Sequence, residues 1–590
     1  MKMTRKRRSS TLYYHRKNRT KLIKTIIQFA ILLLVGTILY REFFVVDYYK
    51  EPDKAAWSNK KGFIALSYFG VGRSGTPKLV DKNLLDEELK VLHDQGYKTI
   101  SQQDILDYYS SGKPLPDKAL FLSFEDGRND SALFTQPLLE KYNLKATFLS
   151  YANKMNNSEN KFVQPKEMHT MMDSGHWEMG TNGYRLSYIN LFDKDGNYIG
   201  VKDESELATV QNLEYYNHYL MDFIRDENMI PLEDRNQMEA RINKDYELMQ
   251  ENYSKELGFV PKTYMIMHAN TLYSGMNKLV EDVNSTNIHR LFQLHFNREG
   301  NVFNGDAEDP YNLTRVQVAP FWYTNHLLMK IQKDTGQQVA FLNGDKRFSQ
   351  KWTAINGAAQ FTNNRIVLTS PPAQAGLVVL NDSGDLNKAT VHTKLSGNVV
   401  GKQSIYVRYD QKKDSFVRIT LDNNTIYVEQ KKPGQAVEQI EMRKLQDISW
   451  KAEDLAYSKA TVYSKEQISA RNPAEDEAYP TNIKGTREIE INVDENSMNI
   501  SVDKSSLIDH LVIDDSISRG SIALESQYSK VNKKDDIYDG VFEDVQVIKK
   551  DEKTGQSSFV FTNKLSGIQK VIHSIDNAVN SAIDWAIDTF

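Results

Sequence analysis

The chain has 590 residues, 40% apolar and 11% aromatic, with 74 Lys+Arg against 78 Asp+Glu and no cysteine. At roughly 100–200 residues per domain this length predicts three or four domains, and the apolar share excludes wholesale disorder. A sequence without cysteine excludes disulfides, thiolate metal sites, iron–sulfur clusters and cysteine nucleophiles.

The charge is unevenly spread. Residues 1–24 hold ten basic side chains and no acid, which leaves 64 Lys+Arg against 78 Asp+Glu, a balance of −14, for the rest. The uncharged run Thr25–Tyr40 follows directly, flanked by Leu22, Ile23 and Phe43–Val46. At about 1.5 Å per residue the core alone falls short of a bilayer of roughly 30 Å. The flanking apolar residues extend it, and Lys24 and Arg41 can snorkel. These features predict a transmembrane signal anchor over 25–46, with 1–24 cytoplasmic by the positive-inside rule and the bulk extracellular. The stretch VGTILYREFF offers no small-x-small site for signal-peptide cleavage. The acidic remainder repels phosphate and argues against a nucleic-acid partner.

Residues 47–61 read as a polar stalk. From Gly62 strands alternate with helices. Phe63–Phe69, Gly96–Ile100, Ala119–Phe124 and Ala146–Ser150 read as strands, and Leu84–Gln95, Gln102–Tyr109 and Leu133–Tyr142 as helices, with Ser101 a cap. Residues 187–230 read as an insertion rich in Tyr, Asn and Asp. Then come a helix over Glu233–Leu257, strands over Pro261–Met267 and Arg315–Val318, and a helix over His326–Asp334. This alternation predicts a parallel sheet, open or closed into a barrel, across 62–345. From 350 to 562 short alternating strands with turn signals such as Asp422-Asn423-Asn424 predict a β-sandwich or jelly roll. Residues 563–590 carry apolar side chains at helical spacing and read as an amphipathic helix that packs on the fold or on a protein partner.

The chemistry-bearing candidate is Glu125-Asp126-Gly127 at the carboxyl end of a strand, where α/β sheets place their ligand crevice. Adjacent carboxylates point to different sides of the chain, so one can bind a metal while the other acts on a water. By itself such a pair is more often a turn or helix-capping acid.

The stretch Gly112–Gly127 (GKPLPDKALFLSFEDG), then Pro137–Phe148 and Ser174–Gly180, resembles the polysaccharide deacetylases (carbohydrate esterase family 4, NodB homology). The resemblance covers about Lys61–Asp345 and implies a (β/α) barrel. It implies Glu125 as general base, in place of the family's aspartate, and Asp126 as ligand of a divalent metal such as zinc. Asn182 and Leu186 stand where the family has two metal-binding histidines, and Tyr68-Phe69 stands where related enzymes often have histidines. The resemblance leaves His176, His268 and His326 as replacement candidates by position, and Tyr184, Arg185, Tyr264 and His268 as candidate substrate contacts. The 350–562 region resembles concanavalin-like and laminin-G-like sandwiches, which implies carbohydrate binding; a spacer or partner surface is the alternative.

Three readings stay open: a metal-dependent N- or O-deacetylase with a relocated metal, a metal-free hydrolase using the two carboxylates, and a non-catalytic glycan-binding descendant. Adjacent residues rarely straddle a sugar, since glycosidase carboxyls sit about 5–10 Å apart. Zinc normally takes three protein ligands, so loss of both histidines weighs the third reading as heavily as the first. The expected setting is cell-surface or exopolysaccharide modification, with polysaccharide synthase or export proteins as possible partners of an accessory subunit.

Overall fold

A computed structural model describes residues 47–156, 161–193, 196–203, 213–266, 276–449, 483–532, 535–551 and 556–565, with a few further positions. Contacts divide the chain into residues 1–50 and residues 51–590. In the first unit the described residues 21–30 are helical. Among the described residues no helix is long and apolar enough to cross a membrane. Residues 34–46 of the expected anchor, and 568–590 of the expected terminal helix, lie outside the described residues.

The second unit opens with strand β1 (Gly62–Tyr68), buried along its whole length. Helix α1 (Lys82–Asp94) starts where the Asp81 side chain accepts the Asn83 backbone N–H. Helix α2 (Gln102–Ser111) has a reciprocal cap between Ser101 and Asp104 and stops at Gly112 in the left-handed region, the cap and stop the sequence signals. Strand β2 (Ala119–Phe124) is buried at every position, as a parallel strand covered on both faces must be. Next come α3 (Asn129–Tyr142), β3 (Ala146–Tyr151), α4 (Pro165–Asp173) and β4 (Trp177–Gly183). The insertion forms an antiparallel sheet of β5 (Ser187–Asp193), β6 (Tyr198–Asp203) and β7 (Leu213–His218), with β5 central. Helix α5 (Arg235–Glu256), β8 (Thr263–Tyr264), α6 (Lys278–Leu291), β9 (Leu294–Glu299), β10 (Leu313–Gln317) and α7 (Thr324–Thr335) complete the domain.

The sheet closes. Neighbours run β1–β2–β3–β4–β8–β9–β10 and back to β1, every contact parallel. Among the described residues this is a seven-stranded barrel, which settles the choice left open between an open sheet and a barrel. A large apolar cluster between strands and helices is its main core, and a smaller one includes Phe121 stacked on Phe296 at 4.6 Å.

Two antiparallel sheets follow. One orders β11 (Trp352–Asn356), β14 (Ala375–Leu380), β23 (Ser521–Gln527), β16 (Lys402–Asp410), β17 (Ser415–Asp422), β18 (Thr425–Lys431) and β19 (Val437–Lys444). The other orders β12 (Ala358–Thr362), β13 (Arg365–Thr369), β24 (Asp539–Lys550), β15 (Ala389–Leu395), β20 (Arg487–Val493), β21 (Ser497–Val502) and β22 (Ser505–Val512), with β25 (Ser557–Thr562) on β24. Alternate residues such as Ile405, Val407, Ile489 and Ile491 meet between them in one core, the packing expected of a sandwich. The β17–β18 hairpin turns through Asn423 and Asn424, at φ of 43° and 59°, the left-handed geometry Asn tolerates in a two-residue hairpin.

Barrel and sandwich share a junction. His326 on α7 lies with its Nε2 2.8 Å from Asp535 Oδ2 and its Nδ1 3.0 Å from Asp539 Oδ2. Its ring stacks on Trp322 at 4.3 Å. Burial opposes the imidazolium, but the two carboxylates outweigh it and lift His326 to about 10. Lys333 pairs with Asp536 at 2.7 Å, and Gln360 donates to Glu87 at 3.0 Å.

Candidate active site

Strand β2 delivers Glu125-Asp126-Gly127 to one end of the barrel. The chain turns there with Asp126 at φ 67° and Gly127 at φ 68°. Asp is one of the few side chains that visit this region readily. Gly127 is needed for another reason: a Cβ on it would sit 2.8 Å from the Ser150 Cβ. The Asp126 backbone N–H donates to Asn182 Oδ1 at 3.1 Å, and Asn182 Nδ2 donates to the Met265 carbonyl at 2.8 Å. Asn182 thus ties the ends of β2, β4 and β8 together.

Glu125 is 0% exposed. Ser67 Oγ donates to its Oε1 at 2.5 Å, Arg315 Nε lies 3.3 Å from the same oxygen, and Gln317 Nε2 donates to Oε2 at 2.9 Å. Burial works against the Arg315 charge, and the Glu125 and Glu299 carboxylates reverse this and raise its pKa. Asp126 is 1% exposed, with its Oδ2 3.7 Å from Arg128 Nη1. Three protein groups engage the two oxygens of Glu125 and fix the carboxylate in a pocket with no solvent-exposed surface.

An apolar layer gathers at the same end. Phe69 follows β1, Tyr151 ends β3, and both join Leu186, Tyr188, Leu191 and Tyr216 in one buried cluster. The inserted sheet contributes the last three of these. Leu186, at the second histidine position of the family motif, is therefore a core residue, 5% exposed.

The structure brings Glu125, Asp126 and Asn182 together. The other candidates lie in different settings. Arg185 pairs with Asp245 at 3.2 Å and covers the Tyr219 ring at 4.5 Å; burial lifts Asp245 to about 6 although Arg185 pulls the other way. Tyr184 is half-buried beside this pair, its ring 5.7 Å from the Arg185 guanidinium. Tyr264 is fully buried, stacked between Phe292 at 4.6 Å and His295 at 4.9 Å. His176 is buried before β4 begins, with Nδ1 2.7 Å from the Leu144 carbonyl. His326 sits in the junction with the sandwich, and His268 lies outside the described residues. Sequence reasoning missed Ser67, Arg315 and Gln317. The available signal was the arginine inside the short strand Leu313–Gln317, since a charge in a buried strand requires a partner.

A divalent metal, the family's usual cofactor, does not fit this donor set. Among the described residues no three His, Cys, Asp or Glu side chains group to hold an ion. The Asn182 carbonyl already accepts a backbone N–H, and Leu186 has no donor atom. Among the described residues Asp126 alone falls short of the three protein ligands that zinc takes, and the candidate His268 lies outside them.

Residues 112–264 match the family model of polysaccharide deacetylases. The chain therefore carries a polysaccharide deacetylase domain, as the NodB-type motifs imply. Over 100 residues, 17% of this chain and 36% of the relative, it is 30% identical to the Bacillus subtilis (strain 168) protein YxkH, whose name places it with the polysaccharide deacetylases. Over 90 residues, 15% of this chain and 13% of the relative, it is 30% identical to the poly-beta-1,6-N-acetyl-D-glucosamine N-deacetylase of Escherichia coli (strain K12). The chain thus spans about a third of the first relative's length and less of the second's. A solved structure of the carbohydrate-binding module CBM66 from Bacillus subtilis is 16% identical, with TM-score 0.23, over 33% of this chain and 94% of that one.

Proposed function

We propose that this protein serves a cell-surface or exopolysaccharide as a glycan-binding, catalytically degenerate member of the deacetylase group, an accessory to polysaccharide synthesis or export. Its setting in this proposal is the cell membrane, with residues 25–46 as the anchor and the bulk outside. The observation that carries the reading is Glu125: it stands at the base position, fully buried, with Ser67, Arg315 and Gln317 on its two oxygens. A general base must reach the water whose proton it takes.

Hydrolysis of N- or O-acetyl groups is the second reading, favoured by the two carboxylates kept at the strand end. The test is acetate release from poly-β-1,6-N-acetylglucosamine and from an O-acetylated glycan, by the full chain supplied with zinc or cobalt, beside metal analysis of the purified protein. We expect no release above a protein-free control and no stoichiometric metal. Acetate release that disappears in Asp126→Ala overturns the degenerate reading and establishes the hydrolase.

A further inference from the structure

The sandwich has an outward face that does not look like an ordinary sheet surface. On the central strands Ile405, Val407, Val417, Ile419, Ile426, Val428 and Leu524 enter the core between the sheets. Side chains alternate along a strand, so Ser404, Arg418, Thr420, Tyr427, Glu429 and Glu525 face the other way. Side chains on the outer face of a sheet normally reach into water, yet Ser404 is 1%, Thr420 6% and Glu525 8% exposed. They form the floor of a groove of about 320 Å³ on this face, within the roughly 300–1,000 Å³ span of small-ligand sites.

The floor is a fixed polar network. Tyr406 Oη donates to Glu525 Oε2 at 2.7 Å, and Ser404 Oγ donates to Oε1 at 3.2 Å. Arg418 reaches Tyr406 Oη at 3.0 Å and Glu525 at 3.5 Å, and grips Glu429 through Nε at 2.8 Å and Nη2 at 2.7 Å. Lys402 closes on Asp422 at 2.9 Å. None of this is needed to join the sheets, whose core lies on the opposite side. Apolar replacement of a buried ion network is often neutral or stabilising, so fold stability alone does not account for the network.

We propose that this groove binds a segment of neutral, hydroxyl-rich glycan. The groove holds three carboxylates against two cations, and each cation is already paired, so an anionic sugar or phosphate meets no free positive charge. What the groove offers is alternating acceptors and donors at fixed positions, the complement of sugar hydroxyls, which both donate and accept. Tyr427, half-exposed on the groove wall, supplies an apolar ring for a sugar's C–H face and a hydroxyl beside it.

The proposal rests on the glycan reading above only for the class of ligand, and its test separates the two. Titration calorimetry of the full chain uses three probes: a β-linked N-acetylglucosamine hexamer, its fully de-N-acetylated cationic counterpart, and an oligomer of a uronic acid. We expect the neutral hexamer to bind in preference to both charged probes. Tyr427→Ala and Gln439→Ala, at half-exposed and exposed positions, each weaken it at least tenfold with an unchanged melting temperature. Full-strength binding by both variants overturns the groove while leaving glycan binding elsewhere on the chain intact. Preference for either charged probe, or no binding by the parent protein, overturns the assignment of a neutral glycan.

Discussion

Arg315 is the residue on which the barrel end depends. It is buried against Glu125, with Ser67 and Gln317 completing the carboxylate's contacts. Removing one partner of a buried pair leaves the other charge without compensation, typically at a cost of about 3–5 kcal/mol, whereas removing both is far milder. Arg315→Met is therefore expected to lower the urea-unfolding free energy by about that amount, and the double variant Arg315→Met/Glu125→Gln to recover most of it. Equal losses in the single and double variants would show that the pair does not carry the effect. The Glu125-Asp126-Gly127 turn was legible in the sequence because a strand running into two acids and a glycine is a local pattern. The clamp on Glu125 was not, because Ser67 and Arg315 are 58 and 190 residues away from it. Asn182 shows the same limit: its position in the motif is legible, but its use as a backbone clamp between strands is a three-dimensional fact.

The elements were read most easily where they are uniform. Ala119–Phe124 is a buried apolar run and reads as a strand at once, whereas the same alternation of strands and helices serves open and closed sheets alike. Val437–Lys444, with its exposed Glu438, Arg443 and Lys444, forms a strand on β18 but carries too few apolar residues to announce one. Helix α7 was expected, and its His326 was a candidate replacement for a family histidine; the structure gives it the junction instead. That placement makes stability depend on pH. Unfolded histidine titrates near 6.5, and Asp535 and Asp539 lift His326 to about 10 against the effect of burial. A raised folded-state pKa gives a contribution that is complete below about 6.5 and lost as pH rises through about 10. His326→Gln should thus cost most at pH 6, about 3–5 kcal/mol for a broken buried pair. The gap to the parent protein should narrow by pH 10, read as melting temperature across that range. A gap of constant size would remove the imidazolium from the account.

Among the described residues, two domain types with separate cores meet at a buried ion cluster, with Lys333–Asp536, Gln360–Glu87 and a small apolar cluster of Met329, Ala358 and Ile537 around it. Domains joined by small polar interfaces tend to move and melt separately. Here the junction buries charged partners, and differential scanning calorimetry of the full chain is expected to show barrel and sandwich unfolding in one transition. The variant His326→Gln/Asp535→Asn is expected to split it in two; two transitions in the parent protein would contradict this coupling. Under the proposed glycan binding by barrel and sandwich, the junction also sets how a polymer meets the protein. Two sites on a flexible tether share a polymer through an effective concentration fixed by linker length. A joint closed by buried ion pairs would replace that average with a single offset between barrel and sandwich. The pair then works as a ruler, and avidity would fall to chains whose repeat length and stiffness match it.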